Sequence, residues 1–211
     1  GSGEGMLLRV RDVLIVTGSE DPEEIRRLAS THPGRHVLSF PPQLAFGTGA
    51  HPTTAGCLRF LVDIAKTRRG SSWSVLDLGC GSGILAIAAA RLGADRVVAV
   101  ENDGMALIYA RENAERHGVA DRIEFIEGDA IALMEAAAES PYDLIAANLF
   151  SDLLEVLLPL FPPHLAPGGD IIVSGFLVAQ SDSVLRHAAN AGLPLNSTMR
   201  RGKWMAGRTM R

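Results

Sequence analysis

Asp77-Leu78-Gly79-Cys80-Gly81-Ser82-Gly83 sets one carboxylate and three alternating glycines between the apolar run Trp73-Ser74-Val75-Leu76 and the apolar run from Ile84 to Ala90. That order reads as strand, glycine turn and helix, the place where α/β proteins bind nucleotides. The glycines let backbone approach a ligand closely, and Asp77 puts a negative charge beneath the turn. Such a charge is a poor host for a pyrophosphate. Two phosphate-binding patterns also fail on spacing. A dinucleotide fingerprint needs a small residue three positions after its second glycine, where Gly81 is followed by Ile84, and a P-loop needs a lysine that this segment lacks. The pattern D-x-G-x-G-x-G instead suits a cofactor with a nucleoside and a cationic or zwitterionic tail. S-adenosylmethionine has that form. The plainer alternative is a glycine turn that serves only as structural punctuation.

Three further polar residues stand where strands end. Arg96 to Glu101 reads as a buried strand whose terminal carboxylate lies about twenty residues past the glycine turn, where an open α/β sheet reads a ribose. Glu101 is the candidate acceptor for both ribose hydroxyls, against the alternative of a solvated cap. Arg122 to Ile126 reads as the next strand and runs into Gly128-Asp129-Ala130, so Asp129 can meet an adenine amino group, cap the following helix, or do both. Tyr142 to Ala147 delivers Asn148 at its carboxyl end, with one acceptor and one donor that can hold a neutral amine. The competing role for Asn148 is to cap a helix starting near Ser151.

Upstream, Gln43 to Thr54 carries glycines and polar side chains that can fold over a cofactor as a lid, ahead of an amphipathic helix from Ala55 to about Lys66. Thr53 or Thr54 is the expected cap of that helix. His51 fits a solvated or capping residue better than a catalyst.

These segments resemble the PrmA-type ribosomal protein methyltransferases, which methylate amino groups of a ribosomal protein at the stalk base of the large subunit. The resemblance rests on AFGTGAHPTT, on VLDLGCGSGILAIAAARLGA, on the strand ending in Glu101, on DLIAANL and on a C-terminal stretch with Lys203-Trp204. It covers most of the chain from Pro42 onward, and AFGTGxHPTT is its most specific part. It implies a protein substrate, no direct nucleic-acid binding, and S-adenosylmethionine contacts at Thr54, Gly79, Glu101 and Asn148. Two departures matter. The family usually has aspartate at the position of Glu101, and its full-length members carry an N-terminal recognition domain, for which the roughly forty residues ahead of AFGTG are too few. Asn148-Leu149 also lacks the N-P-P-Y/F ending of many nucleic-acid amino methyltransferases.

Composition agrees with one globular domain. The 211 residues are 47% hydrophobic, with net charge -4 and mean hydropathy +0.16, which argues against a general nucleic-acid footprint. No run has the length of a membrane span or the form of a signal peptide, so a cytoplasmic location is expected. Arg200, Arg201, Lys203, Arg208 and Arg211 make the C-terminus locally basic, read as a solvated edge hairpin in preference to an RNA site. Cys57 and Cys80 offer neither metal-ligand spacing nor a disulfide framework, so no metal is expected. Residues 1–5 resemble an expression scar, 6–54 an N-terminal extension with the lid loop, and 55–211 the catalytic domain.

Strand and helix alternate from Trp73 to the end, with a closing antiparallel pair turning at Gly202. Alternation of this kind means a mostly parallel sheet covered on both faces. The resemblance makes this the Rossmann-like, seven-stranded class I methyltransferase fold. Function then reads as methyl transfer from S-adenosylmethionine to a protein amino group, with a small-molecule N-methyltransferase or an inactive cofactor-binding module as alternatives. Asn148 is the residue expected to orient the nucleophile, with Asp77, Gly79, Gly81, Glu101 and Asp129 around the cofactor.

Overall fold

The computed structural model describes residues 7–41 and 51–210. The expected scar and most of the expected lid, Gln43 to Ala50, lie outside them. Seven strands form one sheet in the order β6-β5-β4-β7-β8-β10-β9. They are β4 (Ser74–Leu78), β5 (Arg96–Glu101), β6 (Ile123–Glu127), β7 (Tyr142–Asn148), β8 (Leu165–Leu177), β9 (Ser197–Arg201) and β10 (Trp204–Arg208). Pairings from β6 through β8 are parallel, and β10 runs antiparallel to both β8 and β9. The expected α/β class, mostly parallel sheet and antiparallel closing pair are all present.

Strict alternation sorts the strand residues onto two faces. Val75, Val97, Ala99, Leu144, Ala146 and Ile172 face one apolar cluster, while Leu76, Leu78, Val98, Val100, Ile145, Ala147, Ile171 and Val173 face the other. The first face is covered by α2 (His51–Thr67), α3 (Ile84–Arg91) and α4 (Gly104–Arg116), the second by α5 (Ala130–Glu135), α6 (Ser151–Leu157) and α7 (Ser181–Asn190). Every residue of α3 from Ile84 to Ala90 is buried, and its four alanines let neighbouring elements come close on all sides. Burial on both sheet faces explains why the strands read as continuous apolar runs.

Ahead of this sheet, β1 (Leu7–Val10) and β2 (Leu14–Thr17) form a hairpin, α1 (Pro22–Thr31) follows, and β3 (His36–Ser39) lies parallel to β2. Asp21 caps α1 by accepting from the Glu23 amide at 3.0 Å, with Pro22 in the first turn. Val10, Leu14, Val16, Leu38 and Phe40 join the first apolar cluster together with α2. His117, just after α4, ties this small sheet down further. Its ring stacks on Phe40 at 5.0 Å, its Nδ1–H donates to the Asn113 carbonyl at 2.6 Å, and its Nε2 accepts from the Ser39 amide at 3.0 Å.

Two local expectations are corrected. Thr53 and Thr54 lie inside the first turn of α2 and do not precede it, because the helix already starts at His51. Pro52 is at home there, since a first-turn residue has no intrahelical acceptor for an amide hydrogen. Arg208 does not belong to the solvated basic cluster. It is buried, 3.8 Å from the Asp170 carboxylate, and donates to the Thr209 carbonyl at 2.8 Å. Arg211 lies outside the described residues.

Candidate functional site

The turn between β4 and α3 is built from three glycines at φ 72°, 53° and 85°, at Gly79, Gly81 and Gly83. Amides of Gly79 and Cys80 donate to the Val100 carbonyl at 2.8 and 2.9 Å, so the turn is pinned to the neighbouring strand β5. A Cβ at Gly79 would stand 2.5 Å from Cδ2 of Leu149, whereas one at Gly81 would meet nothing within 4 Å. Gly79 is therefore glycine because Leu149 lies against it and because its φ is left-handed.

Beneath the turn, Asp77 is 1% exposed and accepts from the Ala86 amide at 3.2 Å. Burial pushes its carboxyl up to about 7, against the pull of that amide and with help from the Glu101 charge. A buried acid held this high gains from a cation close by. The two cysteines have no such role. Burial pushes the Cys57 thiol up to about 12 and raises that of Cys80 as well, leaving neither as a nucleophile near neutral pH.

Glu101 ends β5 with both oxygens engaged: Oε1 accepts from the Gly81 amide and Oε2 from the Asp103 amide, each at 3.0 Å. Each oxygen keeps a further lone pair for a hydroxyl donor. This clasp across to the glycine turn was not foreseeable from strand-end position alone. Asp129 is the N-cap of α5, accepting from the Ala132 amide at 2.9 Å, as its sequence context allowed. Asn148 does not cap α6, whose N-cap is Phe150. Its side-chain amide is half-buried at the carboxyl end of β7 and engages no described residue.

Among the expected residues, Gly79, Glu101 and Asp129 line one cleft of about 140 Å³, completed by Val100, Asn102, Gly128, Ala130, Leu149 and Leu153. Carboxylates stand at two points of this cleft and aliphatic side chains between them. Gly81 joins through Glu101, and Asp77 lies below. Asn148 sits one residue from Leu149 at the rim, and Thr54 is buried at the start of α2 and does not line the cleft. Sequence reasoning missed Leu149 and Leu153, whose only signal is adjacency to Asn148 and one helical turn of spacing. It also missed Gly175, at φ 94°, where a Cβ would fall 2.4 Å from the Leu149 carbonyl oxygen. A larger cavity, about 580 Å³, lies elsewhere, against Trp73, Gly93 and the end of α2 at the opposite edge of the sheet. It holds none of these residues.

Among the described residues no group of three or more His, Cys, Asp or Glu side chains is placed to hold a metal ion, and no helix is long and apolar enough to cross a membrane.

Residues 10–211 match the family described as ribosomal protein L11 methyltransferase (PrmA). The ribosomal protein L11 methyltransferase of Brucella suis is 40% identical over 191 residues, covering 90% of this chain and 64% of that protein, so the chain spans under two thirds of its length. The solved ribosomal protein L11 methylase of Lactobacillus delbrueckii subsp. bulgaricus superposes with a TM-score of 0.77 at 26% identity, covering 97% of this chain and 98% of that one. An RNA methyltransferase from Salinibacter ruber, solved with S-adenosyl-L-homocysteine, gives a TM-score of 0.56 at 28% identity over 72% of this chain and 89% of that one. With a glycine cradle, a buried acid and a strand-end amide on the sheet edge where such folds hold their ligand, and a family match from Val10 to the last residue, the chain belongs to the ribosomal protein L11 methyltransferase (PrmA) family.

Proposed function

We propose that this chain transfers methyl groups from S-adenosylmethionine to amino groups of a protein, and that ribosomal protein L11 is that protein. Family membership supports the chemistry and the relatives' names support the substrate. The single observation that carries the reacting end is the Asn148 amide, held at the carboxyl end of β7 beside the cradle and engaged by no described residue.

The residues present fit the cofactor. A flat slab with polar edges suits a cleft walled by Val100, Ala130, Leu149 and Leu153. Glu101 would accept from ribose hydroxyls through its remaining lone pairs, and Asp129 would stand near the adenine amine. Gly79 and Gly81 would give close backbone approach and Asp77 the charge that a nearby ammonium neutralises, while Thr54, buried at the start of α2 and outside the cleft, is left without a direct contact. When bound, S-adenosylmethionine supplies a sulfonium methyl whose departure leaves a neutral thioether. The Asn148 carbonyl accepts an N–H of the incoming neutral amine and turns its lone pair toward the methyl. Positioning of this kind is worth roughly 7–11 kcal/mol, so no dedicated general base is needed. A protein amine must arrive deprotonated, which desolvation at the rim favours.

Purified L11 incubated with the protein and methyl-tritiated S-adenosylmethionine should become labelled. Asn148→Ala should lower kcat by about a hundredfold or more, the order seen when one positioned polar group is removed, with calorimetric cofactor affinity nearly unchanged. Full turnover by Asn148→Ala removes that residue from the mechanism, and an unlabelled L11 beside intact cofactor binding removes the substrate.

A further inference from the structure

A second concavity, of about 200 Å³, is lined by Leu8, Arg9, Val10, Arg11, Ala55, Arg59 and Arg201. Segments far apart in sequence, β1 with the residue after it, α2 and β9, bring four arginines to the lining of one pocket. Arg11 is already paired, donating to both oxygens of Asp63 at 3.1 and 2.9 Å. Arg9, Arg59 and Arg201 have no carboxylate partner among the described residues. The Nε of Arg59 is the sharper sign. It is a buried donor with no hydrogen-bond acceptor at all, a state that costs free energy unless something else supplies the acceptor. Three arginines without a carboxylate partner among the described residues, one of them carrying an orphaned donor, describe a receptor for an oxyanion.

Its position gives the anion a context. Trp204 pairs with Leu177, the last residue of β8, and also with Arg201, so the β9–β10 turn stands at the carboxyl edge of the sheet. Asn148 pairs with Ser174 on the same β8, and Ala55 directly follows Thr54. From β7 to β9 is three strand spacings, about 14 Å. An extended polypeptide covers that distance in roughly four or five residues. The pocket is thus within one short peptide segment of the amine that Asn148 would hold.

We infer that this arginine pocket receives a carboxylate side chain of the methyl-accepting polypeptide, set four or five residues from the reacting amine in an extended segment. The inference rests on the protein-methylation reading above. A carboxylate is favoured over an RNA phosphate because the cationic groups converge on one small concavity and do not form a track, and because the chain as a whole is acidic at net charge -4. Arg200, the nearest extra cation on β9, folds its Nε back onto the Gly202 carbonyl at 2.9 Å.

The test is a binding measurement independent of turnover. Fluorescein-labelled hexaglutamate is titrated by anisotropy at low salt against the protein, against Arg9→Ser/Arg201→Ser, whose positions are exposed, and against Arg59→Met, which keeps the aliphatic stem. Inorganic phosphate and a twelve-nucleotide oligouridine serve as competitors. The expected result is saturable peptide binding, weakened by about tenfold or more in both variants, as loss of charge-assisted bonds implies, with phosphate competing at the same site. No peptide binding, or equal binding by the variants, overturns the inference. Binding of oligouridine through the same arginines without binding of hexaglutamate overturns it in favour of a phosphodiester. S-adenosylmethionine titrations of the same variants, with Glu101→Ala as the control that should fail, separate the two readings. Failure of the wild-type protein to bind the cofactor sinks methyl transfer while the peptide result stays readable.

Discussion

Glu101 fastens the glycine turn and, on the proposed reading, would also accept from the ribose, and the two duties can be pulled apart. Its two oxygens fasten the Gly81 and Asp103 amides, so the residue shapes the turn before any ligand arrives. Glu101→Ala is expected to weaken S-adenosylmethionine binding by about a hundredfold, since two backbone donors lose their acceptor along with the ribose hydroxyls. Glu101→Gln keeps one strong acceptor oxygen and should lie between. Calorimetry on both variants checks the order, and equal affinities would deny the clasp. The Gly79 contact makes a second residue-scale prediction. Gly79→Ala drives Cβ into the end of Leu149, a side chain that lines the cleft. Cofactor affinity should fall, and Leu149→Ala in the same chain should restore part of it, leaving only the left-handed backbone strain of about 1 kcal/mol. Additive losses would show that the two positions do not touch. Glycine spacing and strand-end acids were legible in the sequence because each acts from its own strand. The Leu149 contact was not, because it joins β7 to a turn some seventy residues earlier.

At the scale of elements, the approach of β7 to β8 governs where Leu149 sits. The Leu149 amide donates to the Ser174 carbonyl at 2.9 Å, and the next residue, Gly175, leaves no room for a side chain against the Leu149 backbone. Gly175→Ala meets backbone there and not a flexible tip, besides sitting at φ 94°. A destabilisation of about 1–3 kcal/mol is expected, read from the urea midpoint, together with weaker cofactor binding. A variant of wild-type stability would mean that the strands shift freely. Element boundaries show the same limit of sequence reading. Period and composition gave β4, β5 and β7 nearly residue for residue, because buried parallel strands are short apolar runs between breakers. The start of α2, its tie through the Ser174 hydroxyl to the Thr53 carbonyl at 3.5 Å, and the burial of Arg208 beside Asp170 depend on partners distant in sequence.

Over the whole molecule, a buried carboxyl and a half-buried imidazole oppose one another as pH changes. Asp77 has its folded pKa raised to about 7, so the folded state holds a proton that the unfolded chain has lost, and stability falls as pH rises from about 4 to about 7. His117 does the reverse. Burial lowers its pKa to about 4, against the Asn113 carbonyl and with the Arg116 and Arg91 charges, and its Nε2 must stay unprotonated to accept from Ser39. Its contribution is complete above the ordinary histidine range near 6.5 and is lost as pH falls toward 4. Wild-type protein should therefore show a shallow urea-midpoint profile across that window. Asp77→Asn should leave stability rising with pH, and His117→Gln should leave it falling. Parallel profiles for the two variants would contradict both assignments. Arg9, Arg59 and Arg201 carry no shared motif, and it is the packing of both the N-terminal hairpin and β9 on α2 that makes them neighbours.

Strand order also sets a sequence of events in time. Asp77, Gly79, Gly81, Glu101 and Asp129 all come from one uninterrupted stretch, β4 to the start of α5, in which β4 pairs with β5 and β5 with β6. Asn148 and Leu149 come from β7, which crosses to the other side of β4 and closes a much longer loop. A folding chain thus gathers the half proposed to hold the nucleoside early and the half proposed to face the amine late. Pulse-labelling hydrogen exchange should find the Gly79 and Cys80 amides, which donate to Val100, protected before those of β7 and Leu149. On the proposed reading, the chain acquires its hold on a methyl donor before it acquires the group that presents the acceptor.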